Sequence, residues 1–139
     1  MNSAYFQAIE TLPSGHLLSL SEVIEKLAFN EQGLVPVITQ DATSKDVLMM
    51  AWMNQSALEQ TLSTGRITYW SRSRKTFWIK GESSGHVQEL VDMSLDCDGD
   101  VILCRVNQNG AACHTGRPNC FYLKVEAEKN QVRIIGDHA

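Results

Sequence analysis

Three short stretches carry residues that can do chemistry. Asp96-Cys97-Asp98-Gly99-Asp100 sets three carboxylates at alternate positions. Oxygen-rich clusters of this kind suit hard divalent cations such as Mg²⁺; a polar turn between strands is the other reading. An EF-hand fits poorly, because counting from Asp96 the sixth position is Val101 rather than Gly and the twelfth is Asn107 rather than Glu. If the segment is extended, Asp96, Asp98 and Asp100 share one face and Cys97 points to the other. Cys97 then belongs to something other than the carboxylate site.

Cys113-His114-Thr115-Gly116-Arg117-Pro118-Asn119-Cys120 is the second stretch. Its cysteines are farther apart than the two to four intervening residues usual in zinc fingers. Gly116 and Pro118 mark a loop that could turn both thiolates toward one ion. Cys104 lies in the apolar run Val101-Ile102-Leu103-Cys104 and reads as a small buried thiol. A structural zinc site using all of Cys97, Cys104, Cys113 and Cys120 is the competing reading. The third stretch, Arg66 to Gly81, holds five basic residues and no acidic one. Such a local positive field suits a phosphorylated ligand. Its Tyr69, Trp70, Phe77 and Trp78 could stack on a base or fill a core. Glu82-Ser83-Ser84-Gly85 follows as a polar loop whose backbone N–H groups can meet phosphate.

The elements that must hold these stretches are largely strands. Ser19-Leu20-Ser21-Glu22 is a capping box, with Leu18 and Val23 placed as a hydrophobic staple, and Val23, Ile24 and Leu27 continue at helical spacing. The first 17 residues show no period and read as an N-terminal extension; the domain proper is expected over 31–139, with 1–30 as an extension that includes the start of a helix. Residues 34–39 read as a strand that Pro36 confines to an edge or a strand start. The polar run 41–46 is a hairpin loop into a second strand, 47–52. Asn54 and Gly65 bracket a second helix as N-cap and C′ residue. Further strands are expected near 66–71, 76–80, 86–95, 100–107, 119–126 and 131–135. The expected class is β-rich α+β.

Composition sets the outer limits. The chain has 139 residues, 43% of them apolar and 20% charged, and a net charge of −4. One soluble globular domain is expected, and neither a general polyanion binder nor a membrane span. The N-terminal residues lack a basic run and include Glu10, so a secretory signal is not expected. A cytoplasmic, reducing location follows as the expectation, where cysteines serve metals or chemistry more often than disulfides.

Together the three stretches resemble the phosphoribosyl-AMP cyclohydrolase family, from about Gly33 to Val125. The resemblance rests on Leu48 to Asn54 (LMMAWMN), Tyr69 to Arg74 (YWSRSR), Lys80 to Gly85 (KGESSG), Asp96 to Asp100 (DCDGD) and Ala112 to Phe121 (ACHTGRPNCF). Ala111 and Asn119 stand where Pro and Ser are expected; every presumed ligand is in place. The resemblance implies Zn²⁺ on Cys113 and Cys120, with Cys97 supplied by the other subunit of an intertwined homodimer, and Mg²⁺ on Asp96, Asp98 and Asp100. It implies a pseudo-barrel of mostly antiparallel strands with a capping helix. The implied reaction is hydrolytic opening of the adenine ring of N1-(5-phosphoribosyl)-AMP at the N1–C6 bond, within histidine biosynthesis. His114 is the candidate catalytic base, or else orients the zinc ligands. Trp70, Ser71, Arg72, Arg74, Lys80, Glu82 and Ser84 are the candidate substrate-binding residues. The helical second domain of bifunctional relatives is not expected, since seven residues follow Val132. Two other function classes fit the residues less closely: a non-catalytic zinc-stabilised module using all four cysteines, and a nucleotide or single-strand nucleic-acid binder using the basic-aromatic stretch.

Overall fold

The computed structural model describes residues 3–138. Its elements in chain order are α1 (Ser3–Ile9), α2 (Leu20–Lys26), β1 (Val35–Asp41), β2 (Val47–Met53), α3 (Gln55–Thr64), β3 (Thr68–Ser71), β4 (Thr76–Ile79), β5 (Gln88–Leu95), β6 (Ile102–Gln108), β7 (Leu123–Glu126) and β8 (Gln131–Ile134). The helix ends follow the caps in the sequence. Asn54 Oδ1 accepts from Ala57 N–H at 2.8 Å to start α3, and Gly65 takes the left-handed conformation that ends it. Ser19 Oγ accepts from Glu22 N–H at the start of α2. Val23 is buried there, whereas Leu18 remains 44% exposed.

The central sheet has strand order β2-β1-β6-β5. The β1–β2 and β5–β6 pairs are antiparallel and β1–β6 is parallel, with Val37 opposite Ile102. β1 is therefore internal. Pro36 is tolerated because pairing with β6 begins only at Val37, so its missing N–H falls at the strand start. The turn before β2 is held by Asp41, whose carboxylate accepts from the Thr43 and Ser44 N–H groups.

The expected pseudo-barrel is not formed. Among the described residues the central sheet is open, and β3–β4 and β7–β8 are separate two-stranded ribbons. β3 and β4 have four residues each, and one isolated bridge, Arg66 with Glu89, links them toward β5. Strands so short cannot continue the pairing around a cylinder.

The core lies between the sheet, the helices and the inner face of β3. Val35, Val37, Met53, Leu58, Ile67, Ile102, Cys104 and Val106 are all buried within it. A polar network crosses this core. The Tyr69 hydroxyl lies 2.7 Å from Thr39 Oγ1 and donates to Gln88 Oε1 at 2.7 Å, while Gln88 Nε2 donates to Gln108 Oε1 at 2.8 Å. Every buried polar side-chain atom among the described residues has a partner, so the network carries no unsatisfied group. It ties β1, β3, β5 and β6 together, and fixes the β3–β4 ribbon against the sheet. α1 also reaches this core. Phe6 is 5% exposed, and its ring fills the space in front of Gly99, where a Cβ would come within 2.3 Å of it. The stretch with no legible period thus packs under the Asp96–Asp100 turn.

Candidate active site

The Cys113–Cys120 loop closes on itself after β6. Cys113 N–H donates to Arg117 O, Ala112 N–H to Pro118 O, and Gly116 N–H to Cys113 O. Cys120 N–H donates to Leu48 O at 2.8 Å, which pins the far end of the loop to β2. The Cys113 and Cys120 thiols each shift the ionisation of the other. Burial works against the Cys113 thiolate, but the Thr115 hydroxyl and amide, the Cys120 thiol and the Arg117 charge outweigh it and hold the thiol below its ordinary value. Thr115 Oγ1 donates to Cys113 Sγ at 3.0 Å. Cys120 moves the other way, to about 11, through burial and then its neighbour's charge. Two thiols arranged this way are a soft-donor pair suited to zinc, one of them already inclined to ionise.

Lys80 completes this corner. Its Nζ donates to Ala112 O at 2.5 Å and sits 5.2 Å from the Trp78 ring centroid. Burial depresses its pKa, and the charges of Cys120 and Cys113 oppose that. Lys80 thus stands beside the thiols as their counter-charge. Arg117 is buried as well. Its Cζ lies 3.9 Å from the Tyr122 ring centroid and its Nε donates to Gly136 O, which ties the residues after β8 to the thiol loop. Sequence reasoning gave Arg117 and Thr115 no role, because both act only through the folded loop.

The candidate substrate residues line two adjoining cavities that share Arg74 and Trp78. One, of about 720 Å³, includes Trp52, Trp70, Ser71, Arg72 and Arg74. Arg72 stacks on Trp52, 4.7 Å from the ring centroid. The other, of about 610 Å³, includes Lys80, Glu82 and Ser84 together with Cys113 and His114. The pleat divides the aromatic residues of the basic stretch: Tyr69 is fully buried against Trp78, whereas Trp70 and Phe77 meet edge to face on the other side. A continuous stacking stripe for nucleic acid is not what the ribbon presents. The second cavity also takes in His86, which the sequence left unassigned.

The carboxylate stretch is not extended. Gly99 N–H donates to Asp96 O and Asp100 N–H to Asp96 Oδ1, so residues 96–100 form a turn. Alternation therefore fails here. Cys97 does not point away; ligand atoms of Asp96, Cys97 and Asp98 all lie within 4.8 Å of one another. Burial disfavours the Asp96 carboxylate, but hydrogen bonds from Asp100, Val101 and Asp98 hold its pKa below the ordinary value. Asp100 is raised, first by its side-chain hydrogen bond with Asp96. Carboxylates drawn together in an exposed turn are a place where a divalent cation can offset their mutual repulsion.

β6 separates the two clusters. The Asp turn enters it and the thiol loop leaves it, and its seven residues span on the order of 20 Å. Among the described residues, no group of three or more close donors joins Cys97 to Cys113 and Cys120. Cys104 lies within β6, fully buried, with its thiol pushed by burial to about 12. It belongs to the core, and a four-cysteine zinc site within one chain is lost with it.

The sequence model for phosphoribosyl-AMP cyclohydrolase matches residues 49–122, which contain both cavities, the Asp turn and the thiol loop. Curated relatives of that name extend the match. The protein from Alcanivorax borkumensis is 55% identical over 129 residues, covering 93% of this chain and 89% of its own. That from Roseobacter denitrificans is 62% identical over 101 residues, 73% of this chain and 79% of its own. That from Hydrogenovibrio crunogenus is 48% identical over 130 residues, 94% of this chain and 87% of its own. With thiol pair, carboxylate turn and basic cavities all inside the matched span, the chain belongs to the phosphoribosyl-AMP cyclohydrolase family of enzymes.

Proposed function

We propose that the protein opens the adenine ring of N1-(5-phosphoribosyl)-AMP in histidine biosynthesis, in the cytoplasm, with zinc held at Cys113 and Cys120. The observation that carries this reading is the contiguity of the two cavities. The thiol loop opens into one through Cys113 and His114, and a basic, tryptophan-lined space adjoins it, matching a substrate with a reacting purine and two phosphorylated arms. Bound zinc supplies a Lewis acid that lowers the pKa of water from 15.7 toward about 7. His114, exposed on the cavity wall beside Cys113, takes the proton that water gives up on attacking C6. Arg72 and Arg74 hold phosphate, with Ser71 and Trp70 beside them; Lys80, Glu82 and Ser84 line the reacting end.

Two thiols are too few for a zinc site with three protein ligands. Cys97 of the partner subunit is the third, and the separation across β6 supports this reading. The β7–β8 ribbon supports the dimer. Leu123, Val125, Val132 and Ile134 share one of its faces and are each 56–75% exposed, while Glu126 and Arg133 pair on the other. An isolated two-stranded ribbon is marginal in water, and a second copy covering this apolar face brings a partner close to the adjoining thiol loop. Asp96, Asp98 and Asp100 hold Mg²⁺ beside that junction.

A turnover assay with phosphoribosyl-AMP, following absorbance as the ring opens, tests the reading. Turnover that chelation abolishes and added zinc restores is expected. A folded, zinc-loaded protein with no turnover contradicts it.

A further inference from the structure

His86 is exposed, yet it is held more tightly than a solvated surface histidine needs to be. Gly81 and Gly110, both at positive φ, approach it from two sides. A Cβ on Gly110 would lie 2.5 Å from His86 Cδ2 and 2.8 Å from Nε2, so the ring occupies the space that any side chain at 110 would need. A Cβ on Gly81 would come within 2.2 Å of the His86 carbonyl carbon and 2.3 Å of Val87 N, so the backbone is gripped as closely as the ring. His86 N–H donates to Ser84 Oγ, and His86 O accepts from Gln108 Nε2. Gln108 in turn is fixed by buried Gln88, and the next residue, Val87, is buried. The imidazole so fixed lines the same cavity as Cys113 and His114. Clamping by backbone and by anchored neighbours is how a reacting group is held to a productive geometry.

The ring opening moves both protons of water. Water's oxygen bonds to C6 and gives up one proton while the C6=N electron pair moves to the exocyclic nitrogen, which takes up a proton. The N1–C6 bond then breaks, its electron pair leaves with N1, which takes up a proton, and the C6 hydroxyl gives up its own to leave the carboxamide. One imidazole that takes water's proton can hand it on only to an atom within its reach, whereas two imidazoles on one cavity wall let separate groups accept from water and donate to N1. We propose that His86 donates the proton that N1 takes up as the N1–C6 bond breaks, positioned by Gly81 and Gly110. The inference rests on the phosphoribosyl-AMP reading above and adds a second catalytic histidine to it.

The test measures kcat, KM, zinc content and melting temperature for His86→Gln, His86→Ala and Gly110→Ala. His86→Gln should lower kcat about a hundredfold while KM stays within threefold and zinc stays at the wild-type level. Added imidazole should restore part of the turnover of His86→Ala, a rescue that a merely structural side chain would not show. Gly110→Ala, which displaces the ring, should lower kcat about tenfold with the same unchanged KM. A kcat within threefold of wild type in His86→Gln, a rise in KM alone, or no imidazole rescue in a folded His86→Ala protein would overturn the proposal. Wild-type protein that fails to open the ring would instead sink the underlying reading, so the two failures are distinguishable.

Discussion

The thiol loop and the Asp turn flank the same strand, β6, and are built in opposite ways. The loop is closed by its own backbone hydrogen bonds, walled by Lys80 and buried Arg117, and opens into a cavity. The turn is exposed and acidic, shaped by hydrogen bonds to Asp96, and supported from beneath by Phe6. The difference follows the metal chemistry each can serve. Thiolates drawn out of water need neighbouring charge and hydrogen-bond donors to stay ionised, whereas carboxylates bind a hard cation in contact with water. Soft donors need a built pocket; hard donors need only a shaped turn.

Breaking the loop should have the largest effect. Cys113→Ser or Cys120→Ser should lose zinc and at least about a hundredfold in turnover together, because a site missing a thiolate cannot complete its coordination. Metal analysis after dialysis against a chelator, with turnover on the same sample, checks this. Full activity in either variant would refute the assignment. Breaking the turn should be milder and separable. Asp98→Asn should weaken magnesium dependence and lower kcat/KM about tenfold while zinc stays near the wild-type level. Loss of zinc from a folded Asp98→Asn protein would mean that the two clusters have been assigned to the wrong metals.

The smallest effect sharpens the contrast by stability instead of chemistry. Gly99→Ala puts a methyl group against the Phe6 ring at a backbone φ of 67°. It should cost about 1–3 kcal/mol through overpacking, read as a lowered melting temperature, while the thiol loop keeps its metal. An unchanged melting temperature would show that α1 does not brace the turn.

Much of this was legible from local signals. Asn54 and Gly65 bracket α3, and the turn residues at 41–46 and around Gly99 separate strands, because caps and turns act within a few residues. The motifs around Arg72, Asp96 and Cys113 pointed to the family, because side-chain types at fixed spacing do. What was not legible depends on contacts distant in sequence. The helix Ser3–Ile9 has no period to announce it; it is held by Phe6 against Gly99. The parallel pairing of β1 with β6 joins strands far apart in the chain. Alternation misplaced Cys97 because the hydrogen bonds to Asp96 convert an extended segment into a turn. His86 carried no signal of its own, since the residue that makes room for it, Gly110, lies beyond two intervening strands.

The central claim is that loop and turn, at opposite ends of β6 in one chain, meet across two chains to make one site. Mixing a Cys97→Ala chain with a Cys113→Ala chain, under conditions that let subunits exchange, tests it directly. In a mixed dimer one site has the intact Cys113 and Cys120 of the first chain with the intact Cys97 of the second, and the other site is doubly broken. With random exchange half the dimers are mixed and half their sites work, so roughly a quarter of wild-type turnover should return from two inactive proteins. No recovery, with exchange confirmed independently, would contradict the shared site.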